Sequence, residues 1–440
     1  MHVTIITGGS QGDVQPLAAL GVGLQHAGFS VRFATHPMFE DFVSQHGMEF
    51  FSLEGNDPRH VMAAEQKRRA VGRRLGALVR IFRRTGPAPA ELRPIEEACR
   101  QTDAVIYSAL SGLSNLASHV IERQRLMSLA AYLYPVAPTR AFPSPYAPPG
   151  WHFGRGYNLL THVAARQLFI LADRSWVNRW RVEALQLPAL SLRNFSRVDK
   201  SGRVPHLHCY SPAVVPKPAD WKEWQHVTGY WFLDGAQEWM PPAGLREFLE
   251  NDEPPIYIGF GSMVDPRPDE LSRIITEALA LTGKRAVIGQ GWGGTRCELP
   301  NVYHVGWVPF SWLLRRVTLA VHHAGTGTAA EVLRAGTPSV AVPFFGEQRF
   351  WAARLHDLGV APQPRPRARL TALNLAEAIN EAAADASLRE RAATLGERIR
   401  SEDGVGRAVE IIVRHLKGQP ETAWTKRTAG SLRTVPTAKA

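Results

Sequence analysis

Short runs of β-branched and aromatic residues alternate along this chain with glycine-rich turns and with longer stretches in which apolar residues return every three or four positions. His2 to Thr7 (HVTIIT) is the first such run. GGSQGD follows it, and VQPLAALGVGLQHAG then carries helical periodicity, so the opening predicts strand, glycine loop, helix. SVRFAT (30–35), MEFFSL (48–53) and DAVIYS (103–108) supply further strands between helical segments, which predicts a parallel sheet with right-handed crossovers.

The grammar restarts at PPIYIGFGSM (254–263), another buried-type strand running into a glycine loop, with RAVIGQ, NVYHVG, TLAVHH and SVAVPF as later strands. Periodicity is poor and turn residues cluster from Ser211 to Asp252, where the domain boundary is expected. The pattern therefore predicts an α/β chain with two Rossmann-like domains, residues 1–230 and 255–385, joined by a linker at 231–254. Helices over 386–416 are placed to pack back on the first domain, and the Lys, Arg, Thr and Pro-rich stretch 417–440 is expected to be a disordered tail. Two such domains facing one another put a ligand cleft between the carboxyl ends of their strands.

Composition sharpens this picture only in places. The chain has 440 residues, 45% hydrophobic and 21% charged, which is ordinary for a folded protein of two or three domains. Cys99, Cys209 and Cys297 are widely spaced and lack metal-ligand or disulfide patterning, so a reducing cytoplasm fits best. The N-terminus has no leader pattern, and no apolar run is long enough to span a bilayer. The formal charge is +11, with much of the excess in residues 59–84, where basic residues share a segment with apolar positions at helical spacing. This predicts an amphipathic helix with a solvated basic face, a membrane-surface contact being the alternative. No nucleic-acid-binding module accompanies the charge.

The chemistry should lie in the loops after strands. Gly8, Gly9, Ser10, Gly12 and Asp13 stand between the first strand and first helix, where small residues admit a ligand and the helix N-terminus attracts an anion; a tight turn is the simpler alternative. The GxGxxG spacing and the acidic residue at the second strand that a dinucleotide site needs are missing. In VHHAGTGTAAEVLRAGTP (321–338), a strand ends at a histidine pair, Gly325 and Gly327 open a helix, and Thr326 and Thr328 add hydroxyls. Backbone N–H groups, the helix dipole and a charge-assisted histidine bond suit a diphosphate there, against the alternative of an ordinary Thr-capped helix start.

At these residues the chain resembles the family 1 nucleotide-sugar glycosyltransferases of GT-B fold, especially the bacterial and fungal sterol and natural-product branch. GGSQGDVQPLAALGVGLQHAGFSVRFATH is similar to that branch's GSRGDVQP signature. The resemblance continues through WVNRWRVEALQLP (176–188), VTGYWFLD (227–234), YIGFGSM (257–263), HHAGTGT and VPFFGEQRFWAARLHDLGV (342–360). It implies that Trp307, with Val308 beside it, takes the nucleotide base, and that His323 contacts the diphosphate. Gly325, Thr326, Gly327 and Thr328 form the phosphate loop, Glu331 holds the ribose hydroxyls, and Glu347 and Gln348 bind the sugar. Gly12 and Ser262 complete the donor set. Phe310 replaces a common Gln, Ala324 the Gly of HHGG, and Glu347 the commoner Asp.

The same resemblance implies an inverting single displacement without a metal or resident cofactor, from a nucleotide sugar read as UDP-glucose to a hydroxyl of a lipophilic acceptor. Asp13 is the implied general base, helix capping being its structural alternative. The aromatic, proline-dense segment 142–162 offers Tyr146, Trp151 and Phe153 as acceptor-pocket walls or, equally, a pinned surface loop. A UDP-sugar epimerase and an inactive accessory protein on the same fold are the competing classes.

Overall fold

The computed structural model describes residues 1–53, 59, 92–109, 112–148, 150–151, 153–191, 204–234, 239–250 and 253–418. The basic segment, Arg59 apart, and the tail from 419 lie outside the described residues.

The first domain is built on seven parallel strands, β1 (His2–Ile6), β2 (Ser30–Thr35), β3 (Glu49–Ser52), β4 (Ala104–Ser108), β5 (Met127–Tyr132), β6 (His206–His208) and β7 (Gln225–Val227), in the order 3-2-1-4-5-6-7. The second has five, β8 (Ile256–Gly259), β9 (Ala286–Gly289), β10 (Val302–Val305), β11 (Ala320–His322) and β12 (Ser339–Ala341), in the order 10-9-8-11-12. In both sheets the chain starts at the centre, moves outward one way and returns to the other side of its first strand. That reversal leaves a crevice beyond the carboxyl ends of β1 and β4, and another beyond β8 and β11, which is where α/β sheets bind ligands. The fold is thus the two-domain α/β arrangement that the strand pattern predicts.

Each sheet is buried on both faces by helices, which is why its strands read as continuous apolar runs. Val3, Ile5, Leu17, Leu20, Leu24 and Phe33 sit in one core of the first domain, and Ile258, Ile275, Leu279, Ile288 and Val321 in the core of the second. The region between β7 and β8 is less featureless than its turn residues suggest. Its helix Ala243–Glu250 plants Leu245 and Leu249 against Tyr257 and Val287 of the second sheet.

The C-terminal helices divide between the domains. Ala386–Arg400 stays on the second domain, where Gly396 lies so close to Gly336 that a Cβ there would approach the Gly336 Cα to 2.7 Å. Gly404–Leu416 crosses over and places Ala408, Ile412 and Leu416 in the core with Val14 and Leu17. Between the domains, Tyr210, Val214, Trp221 and Tyr230 of the first pack with Ala330, Leu333, Trp351 and Leu355 of the second. This apolar seam fixes how the two sets of strand ends face each other.

Candidate active site

On the first domain, β1 leads through Gly8 and Gly9 to Ser10, which caps helix Gln11–His26. Asp13 belongs to the first turn of that helix. Its Oδ2 accepts hydrogen bonds from the Ser10 backbone N–H at 2.8 Å and the Ser10 hydroxyl at 3.0 Å. Gly9 has φ +113°, and a Cβ at this position would come within 2.5 Å of Asp13 Oδ2, so only glycine leaves room for the carboxylate. Burial raises the Asp13 carboxyl above its ordinary value and outweighs the two Ser10 bonds, which act the other way. Capping and exposure to the cleft are therefore combined in one side chain, since Asp13 also lines the cavity described below.

On the second domain, β11 delivers the histidine pair. Nδ1 of His322 accepts from the Ala324 N–H at 3.2 Å, which leaves Nε2–H to donate to Ser339 Oγ at 3.1 Å. These bonds help hold Ala324 at φ +59°, a conformation that favours glycine and costs an alanine about 1 kcal/mol. His323 turns the opposite way, and its buried Nδ1 has no hydrogen-bond partner. Gly261 and Gly325 flank it. A Cβ at 261 would lie 3.3 Å from His323 Cε1, and one at 325 would overlap Nε2.

Burial pushes His323 down to about 4, so the imidazole is neutral near pH 7 in the ligand-free protein. A neutral imidazole N–H still makes a charge-assisted bond when its acceptor is an ionised phosphate oxygen. Gly325 caps helix Thr326–Ala335, whose first turn presents N–H groups and threonine hydroxyls to the cleft. One turn on, burial carries Glu331 up to about 7, against the opposing pull of Arg334. Its Oε2 has no partner, while Arg334 is drawn aside to Asp234 at 2.6 Å and lies over the Phe232 ring at 4.3 Å.

The two halves share one cavity of about 1910 Å³. Gly12 and Asp13 line it from the first domain. Ser262, Trp307, Val308, His323, Gly325, Thr326, Gly327, Thr328, Glu331, Glu347 and Gln348 line it from the second. Trp307 is 63% exposed at the rim, free to take a planar ring on its face. Gln348 is more constrained: its Oε1 accepts from the N–H groups of Phe344 and Phe345 at 2.8 and 3.2 Å, and its NH2 group donates to Met263 Sδ at 3.2 Å, which leaves one N–H to give. Phe310 also lines the cavity, edge-on to Tyr257 at 5.6 Å.

Of the three aromatic acceptor candidates only Tyr146 reaches the cavity. Trp151 and Phe153 are 54% and 70% exposed, stack edge-on against each other at 5.9 Å and stand outside its lining. The reason is local: the loop ends at Gly154, φ +81°, and the rest of segment 142–162 is the start of the 30-residue helix Gly154–Glu183.

Sequence reasoning missed Tyr134, just after β5. Its hydroxyl lies 2.8 Å from that of Tyr146, and both rings line the cavity. Burial, then Tyr146, Glu347 and Asp13, push its phenol well above the ordinary range, so the hydroxyl keeps its proton. A strand-end position was its only signal. Missed too was the buried pair Asp265–Arg367, 102 positions apart, bidentate at 2.5 and 3.1 Å under the second domain's loops.

Known proteins resemble this chain along nearly its whole length. Residues 3–143 match the glycosyltransferase family 28 N-terminal domain, and residues 290–413 the erythromycin biosynthesis protein CIII-like C-terminal domain. The sterol 3-beta-glucosyltransferase of Pichia angusta is 36% identical over 434 residues, covering 94% of this chain and 33% of the relative. That of Cryptococcus neoformans var. neoformans is 37% identical over 447 residues, covering 95% and 27%. The chain thus spans a third or less of the length of these fungal relatives. Among solved structures, the glycosyltransferase of kitacinnamycin superposes with a TM-score of 0.67 at 20% identity, over 94% of this chain and 99% of that one, a likeness of fold.

Proposed function

Because the chain belongs to the GT-B glycosyltransferases, we propose that it transfers a hexose, glucose, from a UDP-sugar to a hydroxyl of a sterol or similar lipophilic acceptor, with inversion at the anomeric carbon. The observation that carries this is the shared cavity. A half-buried carboxylate, Asp13, enters it from one domain, and an unpartnered imidazole at a helix N-terminus, His323, enters it from the other.

In this mechanism the diphosphate lies against the N-terminus of helix Thr326–Ala335. The N–H groups of that turn, the Thr326 and Thr328 hydroxyls and the neutral His323 donor stabilise the charge that grows on the leaving oxygen. The unpaired Glu331 Oε2 accepts from the ribose diol, which favours uridine over deoxythymidine because the latter has one hydroxyl fewer. Trp307 supports the base, and Glu347 with the remaining N–H of Gln348 holds the sugar hydroxyls.

Asp13 takes the acceptor proton as the new glycosidic bond forms and the bond to the diphosphate breaks. Both Ser10 hydrogen bonds fall on Oδ2, which leaves Oδ1 for that proton. Burial raises its pKa, which makes the carboxylate a stronger base than one in water. Aromatic walls, Tyr146 and Phe169 among them, suit a greasy acceptor body. Incubation with UDP-glucose and a panel of hydrophobic alcohols tests the proposal. Acceptor-dependent UDP release with a glycoside product is expected, whereas donor isomerisation or binding alone would replace it with the epimerase or accessory assignment.

A further inference from the structure

Glu331 and Arg334 stand one turn apart on helix Thr326–Ala335, a spacing at which a carboxylate and a guanidinium ordinarily meet. Here the guanidinium turns away. Glu331 Oε2 and Arg334 Nη1 are both buried without a hydrogen-bond partner. What holds Arg334 instead comes from the segment that follows β7. Its Nη2 donates to Asp234 Oδ2 at 2.6 Å, and its guanidinium lies 4.3 Å over the Phe232 ring. Glu331 lines the cavity, whereas Asp234 and Arg334 stand outside its lining.

The Asp234 contact adds little stability as an ion pair, because the Asp234 side chain is 65% exposed. Its effect is on placement. The Arg334 side chain is only 17% exposed, so a guanidinium released from Asp234 needs another acceptor, and the unpartnered Glu331 oxygen on the preceding turn is within its reach. Cations on the elements packed against this helix are engaged elsewhere: Arg400 on the Arg334 carbonyl, Arg316 on that of Trp312 and Arg354 on that of Val214. Asp13, across the cavity, is tied to Ser10. Burial, Arg334 and Asp234 are what act on the Glu331 proton.

We propose that Asp234 is a positioning residue for the donor site: it anchors Arg334 against Phe232 and so keeps the Glu331 carboxyl unpaired and open to the ribose hydroxyls. The anchor stands on the contacts above; what Glu331 receives rests on the UDP-sugar assignment. Without the anchor, Arg334 closes onto Glu331, which loses its proton and its free oxygen together.

Thermal melts of the ligand-free full chain read the anchor. The Glu331 contribution to wild-type stability should fall from about pH 5 to about pH 8, as the carboxyl gives up a proton that the unfolded chain has already released. Asp234→Asn should flatten that slope, because the paired carboxyl is ionised throughout. Arg334→Gln added to Asp234→Asn should restore it, since no cation is left to close the site. A wild-type slope in Asp234→Asn, or a flat one that persists in the double variant, would overturn the proposal. If Asp234→Asn loses its cooperative melt, Arg334→Gln alone carries the test: its slope should persist, moved to higher pH, and a flattened slope would overturn the proposal.

Calorimetry with UDP-glucose, whose phosphates do not titrate near neutrality, reads the consequence for the donor. Wild-type affinity should rise about tenfold between about pH 6 and about pH 8 as Glu331 ionises. Asp234→Asn should bind about tenfold more weakly than wild type at about pH 8, with little dependence on pH. Flattened melts in Asp234→Asn, with UDP-glucose binding that neither Asp234→Asn nor Glu331→Gln alters, would leave the anchor intact and remove Glu331 from the ribose. Weakened binding by Glu331→Gln, with Asp234→Asn equal to wild type in both measurements, would do the reverse.

Discussion

Gly12 and Gly327 meet across the cleft: a Cβ on Gly327 would stand 3.4 Å from the Gly12 Cα. Each glycine belongs to the first turn of a helix, one from each domain, so two positive helix ends converge on the same cavity. The base candidate and the diphosphate loop are thereby held by backbone on opposite sides of one space, and the apolar seam beneath them sets the spacing.

The narrow seat of His323 is open to a direct steric test. Gly325→Ala puts a methyl group on Nε2 and forces the imidazole to turn, although φ −67° at 325 suits alanine. UDP affinity by calorimetry should fall about tenfold, the equivalent of one or two hydrogen bonds, with little change in melting temperature. Wild-type affinity would mean that His323 does not contact the diphosphate.

Glu331 ties stability to pH. With the folded carboxyl at about 7 against an ordinary 4.5, the folded chain keeps a proton that the unfolded chain releases. Its contribution is therefore fully present below pH 4.5 and lost as pH rises to and through 7. Glu331→Gln should stabilise the ligand-free protein by about 1–2 kcal/mol at pH 8, allowing for screening at this half-buried position, and by much less at pH 5. It should also weaken UDP binding more than dTDP binding. Thermal melts at the two pH values check the first part, and an equal gain at both would refute it.

Tyr134→Phe removes one hydroxyl from the pair with Tyr146 and leaves the ring in place. If that pair is the polar end of the acceptor pocket, KM for acceptor should rise about three- to tenfold, the value of one hydrogen bond, while KM for UDP-sugar is unchanged. A change confined to the donor KM would place Tyr134 on the other side of the reaction.

Arg367→Ala strands Asp265 in a buried site with half its partners gone. Breaking such a pair costs about 3 kcal/mol, readable by denaturant unfolding, and the loops over the second sheet should loosen with it. A loss under about 1 kcal/mol would show that water reaches the carboxylate.

How far these features could be read without coordinates depended on their range along the chain. Both sheets were legible because parallel strands buried on two faces must be apolar throughout, and β1, β8 and β11 each run straight into a glycine loop. His323, Gly325, Thr328 and Glu331 were legible because a strand end and one helix turn bring them together within nine residues. The Tyr134–Tyr146 contact and the Asp265–Arg367 pair depend on tertiary placement that no local pattern encodes. Aromatic content alone left Trp151 and Phe153 open between pocket wall and surface loop; a positive-φ glycine at 154 starts a helix there, and both rings stand outside the cavity. The two C-terminal helices differ in destination because Gly396 admits close contact with Gly336, whereas Gly404 passes against the Tyr230 carbonyl on the first domain.

Proton removal by Asp13 and donor binding by the opposite loop are distinct roles, and one variant separates them. Asp13→Asn keeps the shape and a hydrogen-bonding oxygen for Ser10 but removes the base. Measured side by side, UDP-glucose affinity should stay within about twofold of wild type. Acceptor-dependent UDP release should fall about a hundred- to ten-thousandfold. Turnover at the wild-type rate with Asn at position 13 would contradict the account.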